Sequence, residues 1–318
     1  MAERAESKLI EIIQAGPLVT VQDLGRHGSR HQGVSRAGAL DGLSLRIANR
    51  LVGNADDAAG LEMLFGNTRI RFLKEIWFAL AGCECFATLN GKPVHLGWTK
   101  RARAGDELLI NMPRNGLCAY LAFDGGIEVP VLMGSRATDV QGGFGGWQGR
   151  KLQTGDLLPI GKKNPKQLKT RGVLLPVLNQ VVRVLAGPEA EQFEPSVQDA
   201  FFSQGWKITA DCNRMGFRLE GDNLARRESG DLLSHGVFPG TIQVPPNGQP
   251  IILAAEAQAT GGYPRIASVI QSDLWKLGQL RPGAFVHFRK VSRAEAAQAK
   301  QQQQLYLTRI ALALLAKT

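Results

Sequence analysis

The sequence predicts a mainly β protein organised as two strand-rich blocks, with a few short helices and one helix at the C-terminus. Three observations carry this reading. The chain has 318 residues, more than the roughly 100–200 of an ordinary domain, so two domains are the default. Its 37 glycines and 15 prolines punctuate short runs rich in Val, Ile, Leu and Phe, the spacing of a barrel or sandwich. Each half also has a late strand run followed by paired glycines, YLAFDGGIEVP at 120–130 and ILAAEAQATGGYP at 252–264, which hints at duplication of one barrel unit.

Taken in order, Thr20–Gly38 (TVQDLGRHGSRHQGVSRAG) reads as a polar loop after a short strand, because its glycines favour tight turns over a helix. Asp41 then caps a helix to Leu51, where Leu43, Ile47 and Leu51 recur every fourth residue before Gly53. RIRFLKEIWFALAG, DELLINMP and LCAYLAF read as strands. GKKNPKQLKTRG, within a boundary at 161–176, reads as a solvated linker, and VVRVLAG, GWKITA and PIILAA resume the strand pattern. Ser292 and Glu295 form a capping box for a tail helix whose apolar end calls for a packing surface.

Composition excludes several classes. The net charge is +10, which favours anionic partners or substrates. The basic clusters, Lys100, Arg101 and Arg103, then Lys162, Lys163, Lys166, Lys169 and Arg171, lack the interleaved aromatics of a nucleic-acid surface. Cys83, Cys85, Cys118 and Cys212 are too few for a secreted disulfide scaffold and read as reduced thiols. The N-terminal segment has charges spread through it, unlike a secretory signal, and no run reaches the roughly 18 apolar residues of a membrane span. A cytoplasmic protein without membrane contact is expected.

Chemistry concentrates in three places. The first is Gln22, Asp23, Arg26, His27, Arg30, His31 and Arg36, where arginine forks suit a carboxylate or phosphate. The glycines there argue against a helix that would pair His27 with His31 on a metal, so no metal site is expected. The second is Ser135, Arg136, Thr138 and Asp139 between glycine clusters. The third is Asn213 and Arg214 with Gln243, Gln249, Glu256, Gln258, Thr260 and Tyr263, whose amides and hydroxyls suit a small polar substrate carrying its own amide. Glutamine moves no protons, so Glu256 or a flanking His235 must do so. Neither GxxxxGK[ST] nor a strand-to-helix GxGxxG occurs, and no GxSxG elbow marks a nucleophilic serine.

The segments TVQDLGRHGSRHQGVSRAGALD, ANRLVGN, GGIEVPVLMGSRATD, NRMGFRLEG and LLSHGVFPGTIQVPPNGQPIILAAEAQATGGYPRI resemble the biotin-dependent carboxyltransferase or allophanate hydrolase subunit 2 family, and within it the C subunits of bacterial ATP-dependent 5-oxoprolinases. The family is also related to the antagonist of the sporulation kinase inhibitor. The resemblance implies two cyclophilin-like β-barrels, over 1–165 and 175–290, with a C-terminal helix at 291–318. It implies a cyclophilin-like B subunit and an A subunit as partners. The assembly would use ATP and Mg²⁺ to hydrolyse 5-oxo-L-proline to L-glutamate with ADP and phosphate, with no tightly bound cofactor in this chain. An unstrained lactam resists water, and phosphorylating its carbonyl oxygen would create a leaving group, leaving the protein to position substrate and stabilise charge.

On this reading Arg26, Arg136 and Arg214 contact carboxylate or phosphoryl groups. Gln22, Gln243, Gln258 and Thr260 contact the lactam, with Thr138, Asn213 and Tyr263 also lining the substrate. Asp23 and Glu256 handle protons or ligate Mg²⁺, with His235 as a further catalytic candidate. The sequence departs from the family pattern at Glu256, where aspartate is usual, at Ala259, where a threonine is usual, and at Asn67, where proline commonly follows glycine. Two other readings stay open: a biotin-dependent carboxyltransferase acting on urea or a related amide, which would need a separate biotin carrier, and a regulator that binds a kinase-inhibitor-like partner.

Overall fold

The computed structural model describes residues 8–162, 168–227 and 232–315, and these fall into two units. The first comprises the described residues of Met1–His27, Ala37–Val177 and Leu307–Thr318; the second comprises those of Gly28–Arg36 and Leu178–Tyr306.

The first unit is one curled sheet of nine strands: β1 (Lys8–Gln14), β2 (Leu18–Gln22), β3 (Gly60–Leu64), β4 (Thr68–Phe72), β5 (Ile76–Leu89), β6 (Lys92–Val94), β7 (Thr99–Ala102), β8 (Glu107–Phe123) and β9 (Leu157–Pro159). Helix α1 (Gly42–Leu51) has Asp41 as its N-cap, whose carboxylate accepts from the amide of Ser44, as the sequence predicts. The sheet runs β2-β3-β8-β4-β1-β9, with β5 along β8 and carrying β6 and β7. Strand β8 is the hub: its first residues pair with β4, its last with β3, and β5 follows its length. Alternation sets the core, since Ile70 and Phe72 of β4, and Cys83, Cys85, Ala87 and Leu89 of β5, face the same apolar interior as Ile10, Val19, Leu61 and Leu121.

The second unit holds β10 (Val181–Ala186), α2 (Pro195–Ser203), β11 (Trp206–Ile208), β12 (Gly216–Glu220), β13 (His235–Gly236), β14 (Thr241–Gln243), β15 (Ile251–Leu253), β16 (Thr260–Gly261), β17 (Arg265–Val269), α3 (Leu274–Leu277) and β18 (Phe285–Lys290). Seven of these strands close a barrel in the order β10-β17-β14-β15-β12-β11-β18, and β18 returns to pair in parallel with β10. Strands β13 and β16 form a separate two-stranded ladder. The tail helix α4 (Arg293–Leu315) starts with the predicted capping box: Ser292 Oγ accepts from the amide of Glu295, whose carboxylate accepts from Ser292. Its end is packed only in part: Leu307 and Ile310 are buried, and Arg50 and Arg171 donate to the carbonyls of Leu307 and Leu314, but Leu312 and Leu315 are exposed.

One closed barrel is therefore present where two are expected. In the first unit the outer edge of β2 is met by irregular backbone: Val21 O accepts from Thr138 N at 2.9 Å and Val19 O from Leu152 N at 2.8 Å. That backbone cannot be a strand, because Gly143, Gly145, Gly146, Gln148 and Gly149 all have left-handed φ. The linker also differs from expectation. Lys163 and Lys166 lie outside the described residues, but Arg171 N donates to Thr99 Oγ1 at 2.8 Å and Val173 N to Gly97 O at 2.8 Å. Residues 171–173 are thus bonded at the start of β7, with Gly172 against the indole of Trp98, where a side chain would not fit.

Candidate functional site

In the first unit the polar residues after β2 build a tightly bonded cluster. Gln22 is fully buried, and its Nε2 donates to Thr20 Oγ1 at 3.0 Å and to Thr138 O at 3.1 Å. No donor among the described residues reaches its buried Oε1. Asp23 accepts from Gly25 N and Ser135 Oγ, both at 2.7 Å, and from Arg136 N at 2.5 Å. Its carboxylate is therefore held by three donors on two loops. Arg136 is half-buried, and its Nε donates to Val129 O at 3.0 Å, which fixes its own loop. Thr138 directs both its amide and its hydroxyl to Val21 O, at 2.9 Å each.

Arg26 is 1% exposed, lies 4.5 Å over the ring of Phe144 and donates to Ala137 O. The glycines beside it are sterically required. A side chain at Gly145 would overlap Ala137 O and the Arg26 guanidinium, and one at Gly146 would overlap Thr138 Oγ1.

A neighbouring carboxylate was not anticipated from the sequence. Glu62 is fully buried on β3, and its Oε2 accepts from Tyr120 Oη at 2.6 Å and from Leu40 N at 2.8 Å. Burial first, then the charge of Glu62, pushes the Tyr120 phenol well above its usual range, so it stays neutral. Ala39 N donates to Asp23 O at 2.8 Å, so this pair and the Asp23 loop grip the same short stretch. An acidic residue inside the otherwise apolar run GLEML is the signal that could have found it.

In the second unit Arg214 and Glu256 form a buried ion pair, 2.6 Å from Nε to Oε1, with side chains 3% and 1% exposed. The amide of Glu256 also donates to Arg214 O at 2.8 Å, so backbone and side chain fix the same contact. Asn213 is exposed; its Oδ1 accepts from Met215 N and Gly216 N, shaping the turn into β12. Gln243 is buried and donates to Tyr263 O at 3.2 Å, while the Tyr263 side chain is exposed. Gly261 leaves room for that amide, since a Cβ there would stand 2.8 Å from Gln243 Nε2.

His235 and Thr260 sit on the two arms of the β13/β16 ladder. His235 Nδ1 lies 3.1 Å from Leu233 O. A carbonyl only accepts, so the contact selects the tautomer with the proton on Nδ1, and in that tautomer Nε2 is the acceptor. That Nε2 is buried and meets no partner among the described residues. Gln258 is exposed, and its backbone carbonyl accepts from Arg30 at 2.8 Å.

The predicted residues thus gather in two groups. Gln22, Asp23, Arg26, Arg136 and Thr138 belong to the first unit; Arg214 with Glu256, and His235 with Gln243, Gln258, Thr260 and Tyr263, belong to the second. Asp23 is engaged by hydrogen-bond donors and Glu256 by an arginine. Among the described residues no group of three or more His, Cys, Asp or Glu side chains is placed to hold a metal. The described residues therefore bring together no carboxylate set that fits Mg²⁺. No described helix is long and apolar enough to cross a membrane.

Strand-paired blocks with buried amides and arginines make up both units, and comparison places the chain in a family. Residues 32–290 match the carboxyltransferase domain, subdomain A and B, and the chain belongs to that family. It is 46% identical to the C subunit of 5-oxoprolinase from Escherichia coli, over 95% of this chain and 98% of that protein. It is 37% identical to the corresponding 5-oxoprolinase polypeptide of Haemophilus influenzae, over 95% and 97% of the two chains. Among solved structures, the urea amidolyase of K. lactis superimposes with a TM-score of 0.91 at 28% identity. That match covers 98% of this chain but only 20% of the amidolyase, so this chain corresponds to about a fifth of that protein.

Proposed function

We propose that the chain is the C subunit of an ATP-dependent 5-oxoprolinase, an amide-bond hydrolase that opens 5-oxo-L-proline to L-glutamate with ADP and phosphate. The observation that carries this reading is the 46% identity to the Escherichia coli protein across nearly the whole of both chains. Its partners are a cyclophilin-like B subunit and an A subunit in a cytoplasmic hetero-oligomer, with ATP and Mg²⁺ acting at the level of the complex. The finer architecture belongs to the same reading: cyclophilin-like domains over 1–165 and 175–290, then the tail helix.

Within it, His235 takes a proton at Nε2, because Leu233 O holds the ring in the one tautomer that can. Gln243 and Thr260 meet the polar edge of the lactam, with Gln258 and Tyr263 at the exposed margin. Gln22 offers a buried acceptor to an N–H group, and Arg26 and Arg136 supply positive charge on the first unit. Asp23 acts as a positioning residue, since its carboxylate locks Ser135 and Arg136 in place. Glu256 orients Arg214, and the family's usual aspartate is one methylene shorter at this position.

The similarity to urea amidolyase supports a second reading, carboxyl transfer from a separate biotin carrier to urea or a related amide. The test is glutamate and phosphate release from 5-oxo-L-proline with ATP and Mg²⁺, for the chain alone and with purified A and B subunits. Release of both only in the full mixture is the expected result. A stable assembly without turnover, together with biotin-dependent carboxylation of urea, would replace the first reading with the second; a B-like partner without either activity would leave the regulator.

A further inference from the structure

The β13/β16 ladder is separate from the sheet of the closed barrel and, among the described residues, pairs His235↔Gly261 and Gly236↔Thr260. A two-stranded ribbon of this length does not hold itself in water. One bond extends it, from Val237 N to Ala259 O at 3.0 Å, and Val237 and Ala257 pack on Leu253 of β15. On one side Arg265 donates to Gly236 O at 3.3 Å while Glu189 holds its guanidinium at 2.6 Å.

A further support comes from a residue far away in sequence. Arg30 lies in the segment Gly28–Arg36, which is counted with the second unit. Its Nη2 donates to Val237 O at 2.6 Å and to Gln258 O at 2.8 Å, one carbonyl from each arm, and Nη1 stands 3.5 Å from Ala257 O. A planar guanidinium can bridge several fixed acceptors in this way; an ammonium on a flexible stem cannot reproduce the fork.

We infer that Arg30 is a positioning residue, a clasp across the two arms of the β13/β16 ladder that sets His235 and Thr260 for the reaction. The inference rests on the function proposed above. It follows from the placement of the two carbonyls: Val237 directly follows β13 and lies two residues past His235, and Gln258 lies two residues before Thr260 of β16, so Arg30 ties together the backbone that continues each arm.

The test is amide hydrogen exchange at Val237 in the full chain, paired with kcat and KM for glutamate release by the assembled enzyme. In Arg30→Met, Val237 exchanges at least about tenfold faster, because its arm loses charged hydrogen bonds, while amides of β14 and β15 keep their protection. kcat falls about tenfold and KM moves less, and Arg30→Lys recovers part of both changes. Unchanged protection at Val237 overturns the clasp, and a loosened ladder with unchanged kcat overturns its catalytic role. Should Arg30→Met also expose the barrel amides, Arg30→Lys decides the matter, since it keeps the cation and loses only the fork. If the wild-type assembly lacks the turnover, the proposed function falls, and the exchange result still decides whether Arg30 holds the ladder.

Discussion

Arg26 and Arg214 are both buried arginines, and the two units hold them by different means. In the second unit a carboxylate meets Arg214 at 2.6 Å, on the segments that precede β12 and follow β15 of a barrel whose edges are all paired. In the first, Arg26 lies against the face of Phe144 and donates to a backbone carbonyl, in a glycine-rich loop that stands where a closing strand would be. The difference is one of material. A closed barrel leaves side chains to do the holding, whereas an open edge lets backbone wrap a side chain, provided the wrapping residues have no Cβ in the way.

The largest effect is expected from breaking the ion pair. Arg214→Ala leaves Glu256 buried without its guanidinium, and losing one partner of such a pair costs about 3–5 kcal/mol. Thermal unfolding should show this loss, and amide exchange should assign it to the barrel, with the Arg26 loop unaffected. If stability falls by less than a surface substitution would cause, the pair is not what holds this region.

Next comes the loop. Gly146→Ala adds a Cβ at φ +51° that would overlap Thr138 Oγ1, a backbone and packing cost of about 2–3 kcal/mol together. The melting temperature should drop, and protection at Thr138 N should fall with it. A neutral result would mean that the loop rearranges freely, and the contrast with the barrel would weaken.

The smallest effect is electrostatic. The Arg265 guanidinium, by hydrogen bonding, holds the Glu189 carboxyl below its usual range against the opposing pull of burial. A depressed folded-state pKa gives stability that is present above the unfolded value and lost as pH falls through the folded one. Glu189→Gln should therefore lower the stability of the second unit at neutral pH and flatten part of its acid-induced loss, so that variant and wild type converge at low pH. Urea unfolding at a series of pH values checks this, and an unchanged acid limb would remove Glu189 from the account.

How much of this could be read in advance depends on the kind of signal. Helix α1 and the start of α4 are local, and Asp41 and the Ser292/Glu295 pair mark them in the sequence. Strand β8 was less legible. Pro113 and Gly116 divide its sequence into DELLINMP and LCAYLAF, yet the structure keeps one strand by shifting the β5/β8 register near Cys85 and Pro113. Closure was not legible, because period-two alternation looks the same in a closed barrel and in an open curl.

The site divides similarly. Residue types and glycine spacing pointed to Gln22, Arg26, Arg214 and His235. What each side chain is bonded to depends on partners distant in sequence, so the donors gathered on the Asp23 carboxylate and the reach of Arg30 to Val237 were not visible there.

The parallel pairing of β10 with β18 bears on how this chain is made. Val181 meets His287, so the barrel's first strand must wait for its last before the ring closes. During synthesis the intervening strands emerge with an open seam, and contacts so distant in sequence form slowly because the loop between them must first be closed. A nascent chain that stops short of β18 leaves β10 and β11 as unpaired edges, open to pairing with other chains. Truncation within the last strand should accordingly yield aggregates in place of a shorter soluble barrel.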